Sequence, residues 1–189
     1  MEGVSKLLED MDIGLDNIGA LVLSELVASP SLGKIERQGF LSGCAQANAD
    51  TAVKLRNAVL QRTAKLPTDA DLFKTVYNHT FQLALQPGQK AVPLEMATEF
   101  WRMTFGPDGW RWSTKDAPWL DWWIEFQEEK VKRSVNKDLW RQTFTFAEET
   151  MRDPTLSFWT EESSWPSVVD DFVEWVKTEK RGGGDEMEL

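Results

Sequence analysis

Apolar residues recur at three- and four-residue intervals along most of the chain, which is the spacing of one face of an α-helix. The first such segment covers residues 1–11, and Asp12 or Asp16 can cap the second. A turn rich in Ser and Pro at residues 29–33 separates the second segment from a third. We predict three helices with these core-facing residues: Val4, Leu7, Leu8 and Met11; Leu15, Ile18, Val22 and Leu26; and Ile35, Phe40, Cys44 and Ala47.

The same period continues towards the end of the chain, and residues that begin helices interrupt it. The predicted starts are marked by Asp50, by Thr68 with Asp71, by Pro93 and by Asn136, while Asp153-Pro154 ends a helix. The apolar residues that define these segments are Ala52, Leu55, Val59 and Leu66; Phe73, Tyr77, Phe81 and Ala84, which we predict to point inward; Leu94, Ala97, Trp101 and Phe105; Trp119, Trp122 or Trp123, and Phe126; and Trp140, Phe144, Ala147 and Met151.

Residues 106–115 are rich in turn formers and predict a loop, with Trp110 and Trp112 on the surface of the core. No segment shows the alternation of a β-strand. We therefore predict an all-α orthogonal bundle of about eight or nine helices with short connections. Its N-terminal part resembles a degenerate EF-hand. A calcium loop read from Asp10 has Leu15 and Leu21 where Gly and Glu are needed, so we expect no metal site.

The last predicted helix begins at Pro166, because proline suits the first turn of a helix. Trp165 anchors its start, its apolar positions face the core, and Asp170 and Glu174 point outward. Charge is the unusual feature of this region. Between residues 147 and 175, Arg152 is the only basic residue beside eight carboxylates: Glu148, Glu149, Asp153, Glu161, Glu162, Asp170, Asp171 and Glu174.

Eight carboxylates and one arginine leave this segment with −7 of the chain's formal net charge of −10. Such an imbalance would steer a basic partner towards this end of the molecule. A helix that docks on the core and turns a solvated acidic face outward is the simpler alternative.

Composition limits the classes of function. A net charge of −10 argues against nucleic acid as a partner, because phosphate binding needs clustered Lys and Arg. The single cysteine, Cys44, excludes an internal disulfide and suits a reducing compartment. Residues 1–12 do not look like a signal peptide, and no apolar run reaches membrane-spanning length. We therefore expect a cytoplasmic and nuclear protein that does not bind membranes.

Few residues are available for catalysis. Cys44 lies on a predicted apolar stripe and His79, the only histidine, on a predicted helix surface, so we expect an inert buried thiol and no general base. The ligands of a zinc site are missing, and so are the Walker A, nucleophile-elbow and dinucleotide motifs. The sequence therefore predicts no catalytic residue and no cofactor.

One enzymatic alternative remains, a glycoside hydrolase, which needs two carboxyl groups about 5–10 Å apart across a sugar-binding cleft. The residues that suggest it are Asp116, Asp121 and Glu125, near Trp119, Trp122 and Trp123. The tryptophan spacing follows the helix period, so core packing is the better explanation.

Three blocks of residues stand in order along the chain: Pro87-Gly-Gln-Lys90 with Leu94-Glu-Met-Ala97 and Phe100-Trp101; Lys132-Arg133-Ser134 with Lys137-Asp138-Leu139-Trp140; and Trp165-Pro166 with Val169-Asp170-Asp171-Phe172-Val173-Glu174. Together they resemble the potentiating-neddylation domain of the defective-in-cullin-neddylation (Dcn1-like) family. The resemblance covers about residues 1–178, with an apparent insertion near 106–116. We therefore expect a potentiating-neddylation domain at 1–180, with the EF-hand-like sublayer at 1–47 and a helical part at 48–180. The glycine-rich sequence that follows predicts a flexible tail at 181–189.

The resemblance implies a scaffold-type co-ligase for cullin neddylation, without catalysis of its own. Family members bind the cullin C-terminal winged-helix subdomain together with the acetylated N-terminal methionine of the neddylation conjugating enzyme. The family's cullin-binding positions correspond to Asp138, Ser164 and Asp170, and Ser164 replaces an alanine of the family. The positions of the acetyl-methionine pocket correspond to Met1, Val4, Leu21, Leu23, Ile35, Leu83, Phe100 and Met103.

Simpler interpretations of these positions stay open. Periodicity alone assigns the pocket residues to the core, and Asp138 could simply favour the dipole at a helix start. A generic helical adaptor for another basic partner would share the acidic surface but not the pocket. Family members usually carry further sequence upstream, often a ubiquitin-associated domain, so we expect this chain to be a fragment of a longer protein.

Overall fold

The computed structural model describes residues 2–182, and in that range the chain forms nine α-helices and one short antiparallel strand pair. The elements are α1 Glu2–Asp10, α2 Ile18–Leu26, α3 Arg37–Gln46, α4 Ala52–Lys65, α5 Ala70–Ala84, β1 Ala91–Val92, α6 Leu94–Thr104, α7 Trp119–Phe126, β2 Val135–Asn136, α8 Lys137–Arg152 and α9 Ser167–Trp175. Helices α7 and α9 continue into the π-helical turns Gln127–Val131 and Val176–Lys180. The prediction of an all-α bundle is confirmed; residues 183–189 of the predicted tail lie outside the described range.

Helix α2 lies at the centre of the N-terminal part and packs against α3, α4 and α5. Almost every residue of α2 is buried, as expected for a helix that is apolar all round. The predicted inclusion of Leu15 in its core stripe is wrong, because that side chain is 64% exposed. The helix begins only after Asn17, whose side-chain oxygen accepts a hydrogen bond from the Gly19 N–H at 2.7 Å. Asn17, not Asp12 or Asp16, is therefore the cap.

Helix α3 packs through glycines. A Cβ atom at Gly39 or Gly43 would clash with the carbonyl oxygen of Val27 or Leu26, so the α3 backbone lies directly against the end of α2. The four residues predicted to bury the third helix are only half-buried. Close backbone contact therefore takes the place of the predicted apolar stripe.

The side-chain caps of α4, α5 and α8 lie at or next to the predicted positions, with two shifts of one residue. Thr51 caps α4 and Asp69 caps α5, each accepting a hydrogen bond from a backbone N–H three residues further on. The predicted cap Asp50 instead pairs with the Lys54 ammonium at 2.7 Å. Asn136 caps α8 as predicted.

Helices α5, α6 and α8 meet in an aromatic core. Tyr77, Trp101 and Trp140 are fully buried, and the Trp140 ring stacks on both of the others, with centroid distances of 4.5 and 5.6 Å. Trp112 also belongs to this core, since it is 0% exposed and donates its indole N–H to the Thr150 hydroxyl at 2.9 Å. The predicted surface position of Trp112 is therefore wrong, whereas Trp110 is half-buried.

The strands, which the sequence did not predict, are two residues long each. Ala91 pairs with Asn136 and Val92 with Val135 in an antiparallel register. Because β1 leads into α6 and β2 into α8, this pairing fixes the starts of the two helices side by side.

Candidate functional site

We define the acidic end of the molecule as the second half of α8, the loop 153–166 and helix α9. Phe146 of α8 is fully buried at its centre. Its ring lies 5.8, 5.6 and 5.8 Å from those of Phe158, Trp165 and Phe172. One side chain thus joins α8, the loop and α9, and Trp165 anchors the start of α9 as predicted.

Asp153 ends α8, as predicted, and organises the loop that follows. Its carboxylate accepts hydrogen bonds from the hydroxyl and the backbone N–H of both Ser157 and Thr155. These bonds, the Ser157 hydroxyl first, favour the ionised carboxylate and lower the pKa of Asp153 to about 2. The start of the loop therefore depends on a negative charge.

We expect Asp153→Asn to lower the melting temperature near neutral pH, because the amide keeps only one acceptor oxygen and no charge. The pKa of Asp153 is lower in the folded chain than its ordinary value of 3.8, so its stabilisation is complete above that value and is lost as the pH falls towards 2. Thermal unfolding between pH 7 and pH 2 should show the melting temperatures of the two proteins converging in acid. A constant difference across that range would contradict this role.

Asp170 is half-buried, although the amphipathic pattern predicted an outward position. Its Oδ1 accepts a hydrogen bond of 2.8 Å from the indole N–H of Trp159 in the loop. The Lys177 ammonium lies 4.2 Å from the centroid of the same indole. Glu174, one turn further along α9, is exposed as predicted. Asp170 and Glu174 thus differ, because only Asp170 is held by a neighbour.

The other two predicted cullin-binding positions are exposed. Asp138 stands in the first turn of α8, and Ser164 stands in the loop just before Trp165, where its hydroxyl needs no buried partner. Phe146, which contacts Trp165, lies eight residues beyond Asp138, about 12 Å along the helix axis. The structure therefore brings Ser164 and Asp170 to the start of α9, with Asp138 further away along α8.

Part of the acidic charge is balanced locally. Arg152 pairs with Glu149 at 2.8 Å and with Glu148 at 3.8 Å. Two lysines just beyond α9 interact elsewhere: Lys177 lies on the Trp159 ring, and Lys180 pairs with Glu125 of α7 at 2.7 Å. Four exposed carboxylates form no salt bridge within the described part of the chain: Glu161, Glu162, Asp171 and Glu174. These charges remain available to steer a basic partner.

The predicted pocket residues divide into two groups. Four are buried, namely Leu21, Leu23, Leu83 and Phe100, and three are half-buried, namely Val4, Ile35 and Met103. Met1 lies outside the described residues. The Leu83 carbonyl oxygen accepts a 3.4 Å hydrogen bond from the Leu32 N–H, which brings the end of α5 next to the segment before Ile35. None of the four cavities described for residues 2–182 is lined by these positions.

Cys44 and His79 differ from their predicted environments. Cys44 is half-buried and lines a cavity of about 300 Å³ with Leu7, Phe40 and Leu55, and burial raises the pKa of its thiol. His79 is half-buried with Nε2 enclosed, and burial lowers the pKa of its imidazole against the opposing charge of a nearby glutamate. The predicted surface position of His79 is therefore wrong. Both pKa shifts favour the neutral side chain.

Two of the three tryptophans behind the hydrolase alternative are fully buried in the core, and Trp122 is half-buried. Trp119 and Trp123 are 0% exposed, so no sugar can stack on them, and Glu125 is held by Lys180. Among residues 2–182, no group of three or more His, Cys, Asp and Glu side chains is placed to hold a metal ion. None of the helices described is both long enough and apolar enough to span a membrane.

Trp159 is the site residue that sequence reasoning missed. It belongs to none of the three blocks of resemblance and to no helical stripe, and its partner Asp170 stands eleven residues away on another element. The only signal in the sequence was the indole N–H of a tryptophan in an acidic loop, because such an N–H usually finds an acceptor when it is buried.

Comparisons with known proteins agree on one family. A family model described as "Cullin binding" matches residues 54–175, which include Asp138, Ser164 and Asp170. Defective in cullin neddylation protein 1 of Pyricularia oryzae is 40% identical over 190 residues, which cover 94% of this chain and 68% of the relative. Its namesake in Yarrowia lipolytica is 30% identical over 180 residues, 94% of this chain and 70% of the relative. Human DCN1-like protein 3 is 27% identical over 191 residues, 97% of this chain and 59% of the relative.

Proposed function

Because the chain belongs to the cullin-binding family of defective-in-cullin-neddylation proteins, we propose that it is a scaffold-type co-ligase that holds two partners at once. The acidic end binds the winged-helix subdomain of a cullin, and an apolar pocket binds the acetylated N-terminal methionine of the neddylation conjugating enzyme. Holding both raises the rate of modifier transfer by proximity. The chain is a cullin-binding accessory factor, and we place its action in the cytoplasm and nucleus.

The observation that carries the proposal is the arrangement of charge at the acidic end. Within the described residues, the loop and α9 carry four exposed carboxylates without a salt bridge, and Asp170 of α9 is held in place by Trp159. A field of one sign speeds the encounter with a basic surface, and a fixed, partly desolvated charge at its centre contributes to affinity. This combination suits a basic protein partner better than a merely solvated helix face does.

The chemistry of the pocket supports a modified N-terminus as the second ligand. A free α-amino group has a pKa of roughly 7.7–8.0 and is largely charged near neutral pH. None of the predicted pocket positions is acidic, so burying that ammonium would cost several kcal/mol without a counter-charge. Acetylation removes the charge and adds a methyl group that can be buried. The pocket should therefore discriminate by modification state.

We expect an N-acetylated peptide from the start of the conjugating enzyme to bind at least about tenfold more tightly than its unacetylated twin, which is roughly 1.4 kcal/mol. The reason is the cost of burying the ammonium. Side-by-side calorimetry of the two peptides with the whole chain measures this ratio. Equal affinities would remove the pocket assignment and leave the generic helical adaptor as the better description.

The control for the pocket should avoid its buried residues. Phe100 is 8% exposed, and truncating it to alanine would cost about 3–5 kcal/mol of stability. Met103 is half-buried on the same helix, so Met103→Ala is the gentler variant. It should reduce the preference for the acetylated peptide and leave cullin affinity unchanged, because the acidic end lies on α8 and α9.

A neddylation time course with and without the chain tests the proposal as a whole. We expect the chain to accelerate transfer to a cullin that contains the winged-helix subdomain and not to a cullin that lacks it. Cys44→Ser should accelerate transfer as well as the natural chain does, since an accessory factor needs no thiolate. A thioester of the modifier on Cys44 would contradict the accessory role, and no acceleration by the natural chain would overturn the proposed function.

A further inference from the structure

The indole of Trp159 makes a contact that the proposed cullin-binding site does not yet account for. Its N–H donates to Asp170 Oδ1 at 2.8 Å, across eleven residues of chain. No other donor in the described part of the chain reaches the Asp170 carboxylate, so Oδ2 is free of protein partners there. Trp159 therefore decides which way this carboxylate points.

The segment that carries Trp159 is held at three points. The loop that carries it is organised at its start by Asp153, which binds Thr155 and Ser157. The neighbouring Phe158 ring packs on Phe146 at 5.8 Å. On the α9 side, the Lys177 ammonium lies over the indole face, an arrangement that ring electrostatics favour. The donor to Asp170 is thus fixed before any partner arrives.

Without that donor, no protein group in the described part of the chain would hold the Asp170 side chain, which stands in the first turn of α9. The side chain would then sample several staggered rotamers. The Trp159 bond selects one of them before a partner binds.

We propose that Trp159 is a positioning residue for the cullin-binding site: its indole N–H pre-orients the Asp170 carboxylate for a basic group of the partner. The inference rests on the proposed function, because it assumes that Asp170 binds the cullin. Pre-orientation removes the cost of ordering this side chain on binding, and that cost corresponds to roughly two- to tenfold in affinity.

The test compares Trp159→Phe with Trp175→Phe. Both substitutions keep an aromatic ring beneath a lysine. The Lys177 ammonium lies 4.2 Å from the Trp159 centroid, and the Lys180 ammonium lies 4.7 Å from the Trp175 centroid. Trp175 is the last residue of α9, five residues beyond Asp170, and its indole N–H has no hydrogen-bond partner in the described structure. Only Trp159→Phe therefore removes a donor from the carboxylate, and Trp175→Phe reports the effect of the smaller ring.

Calorimetry with the cullin winged-helix subdomain should give a roughly two- to tenfold weaker affinity for Trp159→Phe. In a chain that already carries Asp170→Ala, the same substitution should cause no further loss. Trp175→Phe should cause the same change, large or small, in both backgrounds. Equal losses from Trp159→Phe in the two backgrounds would show that the tryptophan acts on stability alone, and the positioning role would be wrong.

An NMR spectrum of the free chain tests the hydrogen bond between Trp159 and Asp170 independently of cullin binding, and so separates this inference from the proposed function. The indole N–H signal of Trp159, identified by its absence in Trp159→Phe, should shift in Asp170→Ala, while the Trp175 signal should not. If Asp170→Ala leaves cullin affinity unchanged, the patch is misassigned and the positioning role falls with it, even where the signal shifts. If Asp170→Ala weakens binding and the Trp159 signal stays in place, the site stands and the positioning role is overturned.

Discussion

Replacing both Asp138 and Asp170 by lysine is expected to weaken binding of the cullin winged-helix subdomain at least about a hundredfold. Each reversal turns an attraction into a repulsion and should cost at least about tenfold. The two side chains lie on different helices, and Asp138 is about 12 Å along α8 from Phe146, which contacts Trp165. Their effects should therefore nearly add. Calorimetry of the two single variants and the double variant measures each step.

Glu174→Lys is the matched control for the double reversal. It makes the same change of charge on α9, one turn from Asp170, at an exposed carboxylate with no salt bridge among the described residues. We expect a small loss that disappears at high salt, as for a charge that only steers the partner. A loss as large as that of Asp170→Lys would show that binding responds to total charge and that the assigned positions have no special role.

The helices were predictable because their signal is local. Apolar residues at helical spacing located the nine α-helices of residues 2–182, although the stripe predicted for α3 is only half-buried. Asn136 was identified as a cap because a side chain caps the backbone three residues on. Thr51 and Asp69 were missed by one residue, since neighbouring polar residues compete for a cap and only backbone geometry decides. The prediction that Leu15 faces the core was wrong for the same reason, because α2 starts only after it.

Features that depend on contacts between distant elements were not predictable from the period. Trp112 stands in a loop of turn formers, yet the core has space for its ring and Thr150 supplies an acceptor for its N–H. Gly39 and Gly43 carry no apolar signal, although their lack of a Cβ lets α3 approach α2. The two-residue strands are too short to show alternation.

The candidate site also combines features that the local sequence predicts with features that depend on contacts between distant elements. The acidic segment and the Trp165-Pro166 block were visible in the sequence, because charge and turn chemistry are written locally. The hydrogen bond between Trp159 and Asp170 was not, because it joins a loop to a helix and leaves no period behind. For the pocket positions, periodicity cannot distinguish a buried core residue from one that lines a pocket. The buried side chains of Leu83 and Phe100 agree with either assignment.

Three buried hydrogen bonds join Tyr77 to Trp101 and Trp140 in the aromatic core. Its hydroxyl donates to the Trp140 carbonyl oxygen at 2.8 Å and accepts from the Trp101 indole N–H at 2.9 Å. The Trp140 indole N–H in turn donates to the Tyr77 carbonyl oxygen at 3.0 Å. All three side chains are 0% exposed, and burial raises the pKa of the Tyr77 hydroxyl well above its ordinary value. The hydroxyl therefore stays protonated and can act as donor and acceptor at once.

We expect Tyr77→Phe to lower the free energy of unfolding by about 2–4 kcal/mol, because it leaves the Trp101 N–H buried without an acceptor and also removes one net hydrogen bond. For a chain of this size the melting temperature should fall by roughly 4–16 °C. Thr80→Val on the same helix is the control, since it removes a buried hydroxyl that donates only to its own helix, at 2.9 Å to the Val76 oxygen. Denaturant unfolding of both variants measures the difference. If the two substitutions cost the same, the orphaned indole N–H is not the source of the loss, and the Tyr77 hydroxyl contributes no more than any other buried hydroxyl of α5.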